Sequence, residues 1–190
     1  VAANKGFDVV AYTGNGGTQS ISSLAFQPDF VWIKQRDSGT RWHSITDSVR
    51  GATKRVFPND GNAETTDANS VTSFNSNGFT VGSTSNVNAN SGSFIAWCWK
   101  AGGAAVSNTD GSVTSQVSAN STYGFSIVSY VGDGANPPST LGHGLGTTPK
   151  MIIFKNRTDS DDWIVYHSAI GATKVLELNH QGELASKFGI

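Results

Sequence analysis

Apolar and polar residues alternate along many short stretches of this chain, and each stretch is closed by a cluster of Gly, Asn, Asp, Ser or Pro. Alternation with a period of two places successive side chains on opposite faces of a strand, and such clusters form turns. The pattern therefore predicts short strands and almost no helix. The predicted strands of the first hundred residues are "FDVVAY", "DFVWIKQ", "RWHSI", "TKRVF", "VTSF", "FTVG" and "SFIAWCWK".

The last of these strands is predicted to be central in its sheet. Alternation places Phe94, Ala96 and Cys98 on one face and the intervening large apolar residues on the other, so both faces are expected to be covered. Many short strands with turns at regular spacing are typical of sandwiches and jelly rolls. We therefore predict an all-β fold made of antiparallel β-sandwich or jelly-roll-like modules in tandem.

A long internal repeat organises the chain. "GFDVVAYTGNG" at Gly6 returns as "GFSIVSYVGDG" at Gly124, and the match continues in constant order. "FVWIKQR" pairs with "MIIFKNR", Trp42 aligns with Trp163, and "GATK" occurs identically in both copies. Repeats of this kind report duplicated structural units.

The repeat divides the chain into three parts. Residues 1–103 form a first, complete module (the first repeat), and 104–123 form a linker or a docked hairpin (the connecting segment). Residues 124–190 form a second, truncated copy (the second repeat), which has no counterpart of "FIAWCWK". A module without that strand is expected to expose an unpaired sheet edge unless another segment fills the gap.

Composition excludes several classes of function. Only 14% of the residues are charged, against roughly 25% in an average domain, and the formal net charge is -1 with no basic cluster, so nucleic acid is not an expected partner. Apolar runs such as "MIIF" are far shorter than the ~20 residues that span a bilayer, so membrane insertion is not expected. Cys98 is the only cysteine, which excludes an intrachain disulfide, and we expect it to be a buried thiol.

The sequence contains no recognisable catalytic motif. Asp8 and Asp29 are isolated, and surface or turn roles are expected for them. The four histidines lack the close spacing of a metal chelate, and no serine lies in a Gly-x-Ser-x-Gly turn. "TGNGGT" at Thr13 is interpreted as a hairpin turn, since no helix follows it as a phosphate loop would require. We therefore expect no enzymatic activity and no cofactor.

Two groups of residues remain as candidate binding sites. Asp159, Asp161 and Asp162 in "TDSDDW" resemble part of a calcium loop, although a solvated turn explains them equally simply. Trp42 and Trp163 could stack on the sugar rings of a glycan, or could pack in a core or between modules. Their repetition favours packing, because duplicated positions usually serve the fold.

Several segments resemble a known family. "FQPDFVWIKQR", "FIAWCWKAGGAAVSNTDGS" and "GHGLGTTPKMIIFKNR" are similar to the tandem-repeat β domain of virion and tail-fibre-like structural proteins of phages, especially marine phages of cyanobacteria. The resemblance implies a structural protein of the extracellular virion: a tail-fibre, appendage or decoration component. Its implied partners are other virion proteins, further copies of itself and, if it contributes to host attachment, a host-surface glycan. It transfers no catalytic residues. The alternative is a secreted carbohydrate-binding module of a bacterial adhesin or enzyme.

Overall fold

The computed structural model describes residues 6–135 and 139–180, and its regular structure consists almost entirely of antiparallel strands. This confirms the all-β prediction. In chain order the strands are β1 (Phe7–Thr13), β2 (Gln19–Ile21), β3 (Phe30–Gln35), β4 (Ser44–Asp47), β5 (Lys54–Arg55), β6 (Thr65–Thr66), β7 (Val71–Asn75), β8 (Gly78–Val81), β9 (Ser93–Trp99), β10 (Val106–Asn108), β11 (Ser115–Asn120), β12 (Phe125–Tyr130), β13 (Met151–Phe154), β14 (Ile164–His167) and β15 (Leu176–Glu177). One short helix, α1 (Ser85–Asn88), lies between β8 and β9.

The first repeat is built on two larger sheets, and the short pair β5-β6 forms a third. One has the strand order β1-β9-β3-β4, and the other has the order β2-β8-β7. The strand β9 pairs with β1 from Phe7↔Trp99 to Thr13↔Ser93 and with β3 on its other side, so it is central as the alternation predicts.

The core of the first repeat lies between these two sheets. Alternate residues of each strand point inward, as expected for a sandwich. The buried residues are Ile21, Leu24, Phe26, Val31, Ile33, Val71, Phe79, Val81, Val87, Phe94, Ala96 and Cys98. Gly78 allows β8 to pair closely with β2 in the second sheet, because a Cβ at this position would lie 1.7 Å from the carbonyl oxygen of Ile21.

The Gly-rich loop after β1 does not close a hairpin, which corrects the prediction from its sequence. The strands before and after it belong to different sheets, so the loop crosses between layers. The buried side chain of Asn88 holds it, with Nδ2 donating to Gly17 O at 2.6 Å and to Asn15 Oδ1 at 2.9 Å. The glycines therefore allow the chain to pass tightly from one sheet to the other, rather than forming a turn between two paired strands.

Asp29 lies in the interior, which corrects the expectation of a surface or turn role. It is 2% exposed, and its Oδ2 accepts a hydrogen bond from Ala101 N at 2.8 Å, while its Oδ1 accepts one from Ser48 Oγ at 3.0 Å. A buried carboxylate is tolerated when hydrogen bonds satisfy its oxygens. Asp29 thereby ties the start of β3 to the chain that leaves β9.

The connecting segment supplies β10 and β11, and β11 pairs with β12, the first strand of the second repeat. The remaining strands of the second repeat form a sheet with the order β13-β14-β15. Within the described ranges, β12 and β13 are therefore edge strands, whereas β9 joins their counterparts β1 and β3. Among the described residues, no strand of the second repeat takes the position that β9 takes in the first.

Candidate functional site at the contact between the repeats

The two repeats share one strand register. The pair β3–β4 runs from Phe30↔Asp47 to Ile33↔Ser44, and the pair β13–β14 runs from Met151↔His167 to Phe154↔Ile164. Because sequence alignment matches β3 with β13, these pairs also match β4 with β14. The bridge Ile45↔Val56 has its counterpart in Val165↔Leu176. The second repeat thus reproduces this part of the first residue by residue.

This register corrects the alignment of the two tryptophans. Counting back from the paired strands, Trp163 corresponds to His43, and Trp42 corresponds to Asp162. The hydrogen bonds agree, since His43 N donates to Asn59 Oδ1 at 2.8 Å and Trp163 N donates to Asn179 Oδ1 at 2.9 Å. The alignment differs by one residue because ten residues separate the paired Ile33 and Ser44, whereas nine separate the corresponding Phe154 and Ile164.

Trp163 is the centre of the contact between the repeats. Its side chain is 5% exposed and packs with Ile45 and Val56 of the first repeat. The indole Nε1 donates to Phe57 O at 2.9 Å and to Asp60 O at 3.1 Å. Burying a tryptophan with its polar atom satisfied gives a large apolar contact at no polar cost. The indole therefore offers no free ring face on which a sugar could stack.

A second apolar contact is made by Phe125, the first residue of β12. Its ring lies 5.7 Å from that of Phe30 and 5.9 Å from that of Trp99, with the latter pair stacked. Both partners belong to the first repeat, on the sheet face that points away from its sandwich core. The second repeat thus covers part of the outer face of the β1-β9-β3-β4 sheet.

Glu64 forms an ionic link across the same contact. Its Oε2 accepts hydrogen bonds from Arg50 Nη1 at 3.0 Å and from Arg157 Nε at 3.1 Å. A backbone hydrogen bond crosses the same contact, because Glu64 N donates to Arg157 O at 2.9 Å. Burial disfavours ionisation of Glu64, but the hydrogen bonds from the two arginines outweigh it and hold the pKa of this carboxyl below its usual value.

Lys155 completes the link with its ammonium group. Its Nζ donates to Gly61 O of the first repeat at 3.0 Å and to Asn156 O and Asp161 O of its own loop. Asp161 N also donates to Gly61 O, at 2.8 Å. These contacts join the loop before β14 to the turn after β5.

Comparison with known proteins assigns the chain to a family. A family model described as "Domain of unknown function (DUF7483)" matches residues 2–189. The chain belongs to this family. The match spans both repeats and the connecting segment, so one DUF7483 domain includes the contact between them. A search of curated proteins and a search of solved structures found no match.

The three aspartates weighed as calcium ligands do not share one site in this DUF7483 domain. Asp159 Oδ2 accepts hydrogen bonds from Asn156 and Thr158, and Asp161 Oδ1 accepts one from Asp162 N at 2.9 Å. These are bonds within the loop itself, as in an ordinary polar turn.

Asp162 instead lies beside Glu177 and His180. Donor atoms of these three side chains lie within 4.8 Å of one another, and His180 Nε2 is 2.8 Å from Asp162 Oδ1. Two carboxylates and an imidazole are donors that a divalent cation accepts. Sequence reasoning missed Glu177 and His180 because the pairing of β14 with β15 brings them there, not their spacing along the chain.

Two of these three residues have apolar counterparts in the first repeat, while His180 corresponds to Asp60. Trp42, the counterpart of Asp162, packs edge-on against Phe57, the counterpart of Glu177, with ring centroids 5.2 Å apart. Trp42 remains 39% exposed, so part of its indole is accessible. Of the two tryptophans weighed for glycan stacking, only Trp42 presents ring surface to solvent.

No helix among the described residues is long and apolar enough to cross a bilayer.

Proposed function

We propose that this protein is a structural component of a phage virion, of tail-fibre, appendage or decoration type, in which repeated β-modules build an extended body. The observation that carries this proposal is the contact between the repeats. One module receives the next through buried Trp163 and the ion pairs of Glu64, and the receiving module keeps its own sandwich core intact. Serial docking of this kind is how repeat proteins extend.

The composition of the chain supports the same proposal. Charged residues make up only 14% of the chain, whereas Gly alone contributes 22 residues, and Cys98 is buried and unpaired. The structure therefore rests on strand pairing and apolar packing rather than on disulfides. Neighbouring modules and symmetry-related copies are the natural source of further stability for such a chain. A contribution to host attachment is part of the proposal.

The second candidate is a secreted carbohydrate-binding module of a bacterial adhesin or enzyme. Exposed Trp42 is the observation that favours it, because an accessible indole can stack on a sugar ring. Its position beside Phe57 gives the ring a fixed orientation. This candidate requires a monomer that binds glycans on its own.

Light scattering and a glycan array separate the two candidates. For the virion component we expect the purified chain to form discrete oligomers or short filaments as its concentration rises, visible by negative-stain electron microscopy. A protein that stays monomeric and gives array signals that disappear in Trp42→Ala would overturn the proposal in favour of the second candidate. Trp42→Phe, which keeps an aromatic ring, is the matched control for the array.

A further inference from the structure

One backbone edge of β13 is not paired with any described strand. On its other edge, Ser168 N donates to Lys150 O at 2.8 Å, which continues the ladder between β13 and β14. In an antiparallel ladder, alternate residues direct their backbone groups to opposite edges. The N–H and C=O groups of Met151 and Ile153 therefore point away from β14, toward the unpaired edge.

The first repeat shows what occupies this edge when it is filled. There the strand β9 pairs with β3 through Phe30↔Trp99 and Trp32↔Trp97. Phe30 and Trp32 are the counterparts of Met151 and Ile153. The same β9 also pairs with β1, the counterpart of β12, whose second edge is likewise free within residues 139–180 and 6–135.

Exposed apolar side chains mark the same two edges independently. Met151 is 51% exposed, Ile153 is 39% exposed, and Tyr130 of β12 is 43% exposed. Their counterparts in the first repeat all contact aromatic rings of β9. The ring distances are 5.4 Å for Phe30–Trp99, 6.1 Å for Trp32–Trp97 and 5.2 Å for Tyr12–Phe94. The exposed residues are thus those that a strand like β9 would cover.

Within their bounds, β12 and β13 lack the residues that normally protect an edge strand, whereas Pro149 and Lys150 come directly before β13. Charged residues and prolines are the usual protection against pairing with another chain. The strands β12 and β13 contain neither, since their sequences are "FSIVSY" and "MIIF". The chain just after β13 reaches β12, because Arg157 Nη1 donates to Ser129 Oγ at 2.7 Å.

We propose that these edges of β12 and β13, which no described strand covers, bind an extended segment of a neighbouring polypeptide that has the residue pattern of β9. Such a segment has about seven uncharged residues, with aromatic side chains at alternating positions and a small residue between them. It is not β9 of a second copy, because Phe94, Ala96 and Cys98 are fully buried and β9 could leave only by unfolding its own repeat. This inference rests on the proposed function, since it names the contact by which the module joins its neighbours.

The probe is a synthetic peptide with the sequence of residues 93–100, labelled with a fluorophore and carrying Cys98→Ser to prevent oxidation. Fluorescence anisotropy measures its binding to the 190-residue chain, and hydrogen exchange followed by mass spectrometry reports on the strands. We expect saturable binding with one peptide per chain and slower exchange in the peptides that cover β12 and β13. A scrambled peptide of the same composition should bind at least tenfold more weakly.

The variant Ile153→Pro removes one outward N–H and leaves the ladder with β14 intact, so it should weaken peptide binding at least tenfold. The matched control Ile153→Val keeps that N–H and should bind as the parent chain does. A probe peptide N-methylated at alternate amides makes the same test without altering the protein. Equal binding of the plain, scrambled and N-methylated peptides, or full exchange protection of β13 before peptide is added, would overturn the inference.

The two proposals fail separately. If the peptide binds at β13 but the protein is absent from phage particles, the proposed virion function fails and the inference of a strand-binding edge stands. If the protein is found on particles but β13 binds none of the peptides, the strand-binding inference fails and the virion function stands.

Discussion

Lys34 and Lys155 occupy the same position in the two repeats, and three backbone carbonyl oxygens surround each ammonium group. Lys34 Nζ donates to Gln35 O, Ser38 O and Arg41 O at 2.8 to 3.0 Å, all within its own loop. Lys155 Nζ keeps two such contacts in its own loop and takes its third from Gly61 of the first repeat at 3.0 Å. A lysine that shapes one loop in the first repeat therefore joins the two repeats in the second.

Substitution of Lys155 should loosen the contact between the repeats. Lys155→Gln removes charge-assisted hydrogen bonds to three carbonyls, and we expect a loss of about 1–2 kcal/mol in the free energy of unfolding. Lys150→Gln, at an exposed lysine four residues before Phe154, is the matched control and should change stability by less than ~0.5 kcal/mol. Urea denaturation followed by tryptophan fluorescence measures both. Equal midpoints for the two variants would contradict the role given to Lys155.

The two tryptophans should differ sharply in their contribution to stability. Trp163→Ala empties a buried site and leaves Phe57 O and Asp60 O without their donor, at an expected cost of about 3–5 kcal/mol. Trp42→Ala removes a side chain that is 39% exposed and should cost roughly 1 kcal/mol. Thermal unfolding by calorimetry compares them. A smaller loss for Trp163→Ala than for Trp42→Ala would contradict the packing described for the contact.

Acid should weaken the same contact through Glu64. Its pKa in the folded chain lies below the ordinary value of 4.5, so its ion pairs contribute fully above that pH and are lost as the pH falls through the lower folded pKa. We expect stability to decline as the pH falls below about 4.5, and to decline less in Glu64→Gln.

The comparison isolates Glu64 from other carboxyls. Hydrogen bonds from Gln35 and Ser139 lower the pKa values of Asp37 and Asp133, and these groups titrate alike in both proteins. Denaturation midpoints at intervals from pH 7 to pH 3 give the two slopes. Parallel curves for the parent chain and Glu64→Gln would show that Glu64 makes no such contribution.

Cys98 should report on the integrity of β9. Burial raises the pKa of its thiol to about 12, and the side chain is fully buried in the sandwich core. Because the thiolate is the reactive form, we expect no reaction with Ellman's reagent at pH 8 until the first repeat unfolds. In denaturant one thiol per chain should react. Rapid labelling of the native chain would mean that β9 leaves its central position.

The elements predicted from sequence are those with strong alternation. The strands β1, β3 and β9 bury alternate side chains, and that physical demand is visible in the sequence itself. Neither β2 nor β6 was predicted, because they are short and mostly polar and exist only through pairing with β8 and β5. The helix α1 was missed in a stretch of Ser and Asn, and its Asn88 is fixed by bonds to Gly17 O and Gly82 O rather than by helix propensity.

The contact between the repeats was only partly predictable. The sequence located Trp163 and favoured packing as its role, although it did so by pairing Trp163 with Trp42, which is not its counterpart. The sequence could not show that Trp163 takes the place of His43. Each repeat has a tryptophan near this point, so the sequence alignment paired the two tryptophans. The stretch before β14 is one residue shorter, and the structural correspondence therefore differs by one residue. The cluster of Asp162, Glu177 and His180 was hidden for the same reason, since only strand pairing brings these residues together.

The most direct test of the structural role is mass spectrometry of gradient-purified phage particles from the host culture in which this coding sequence occurs. Immunogold labelling with antibodies against the 190-residue chain would locate the protein on the particle. We predict that peptides from both repeats sediment with intact particles in constant proportion to the major virion proteins. Recovery of these peptides only in the particle-free, secreted fraction would contradict the account.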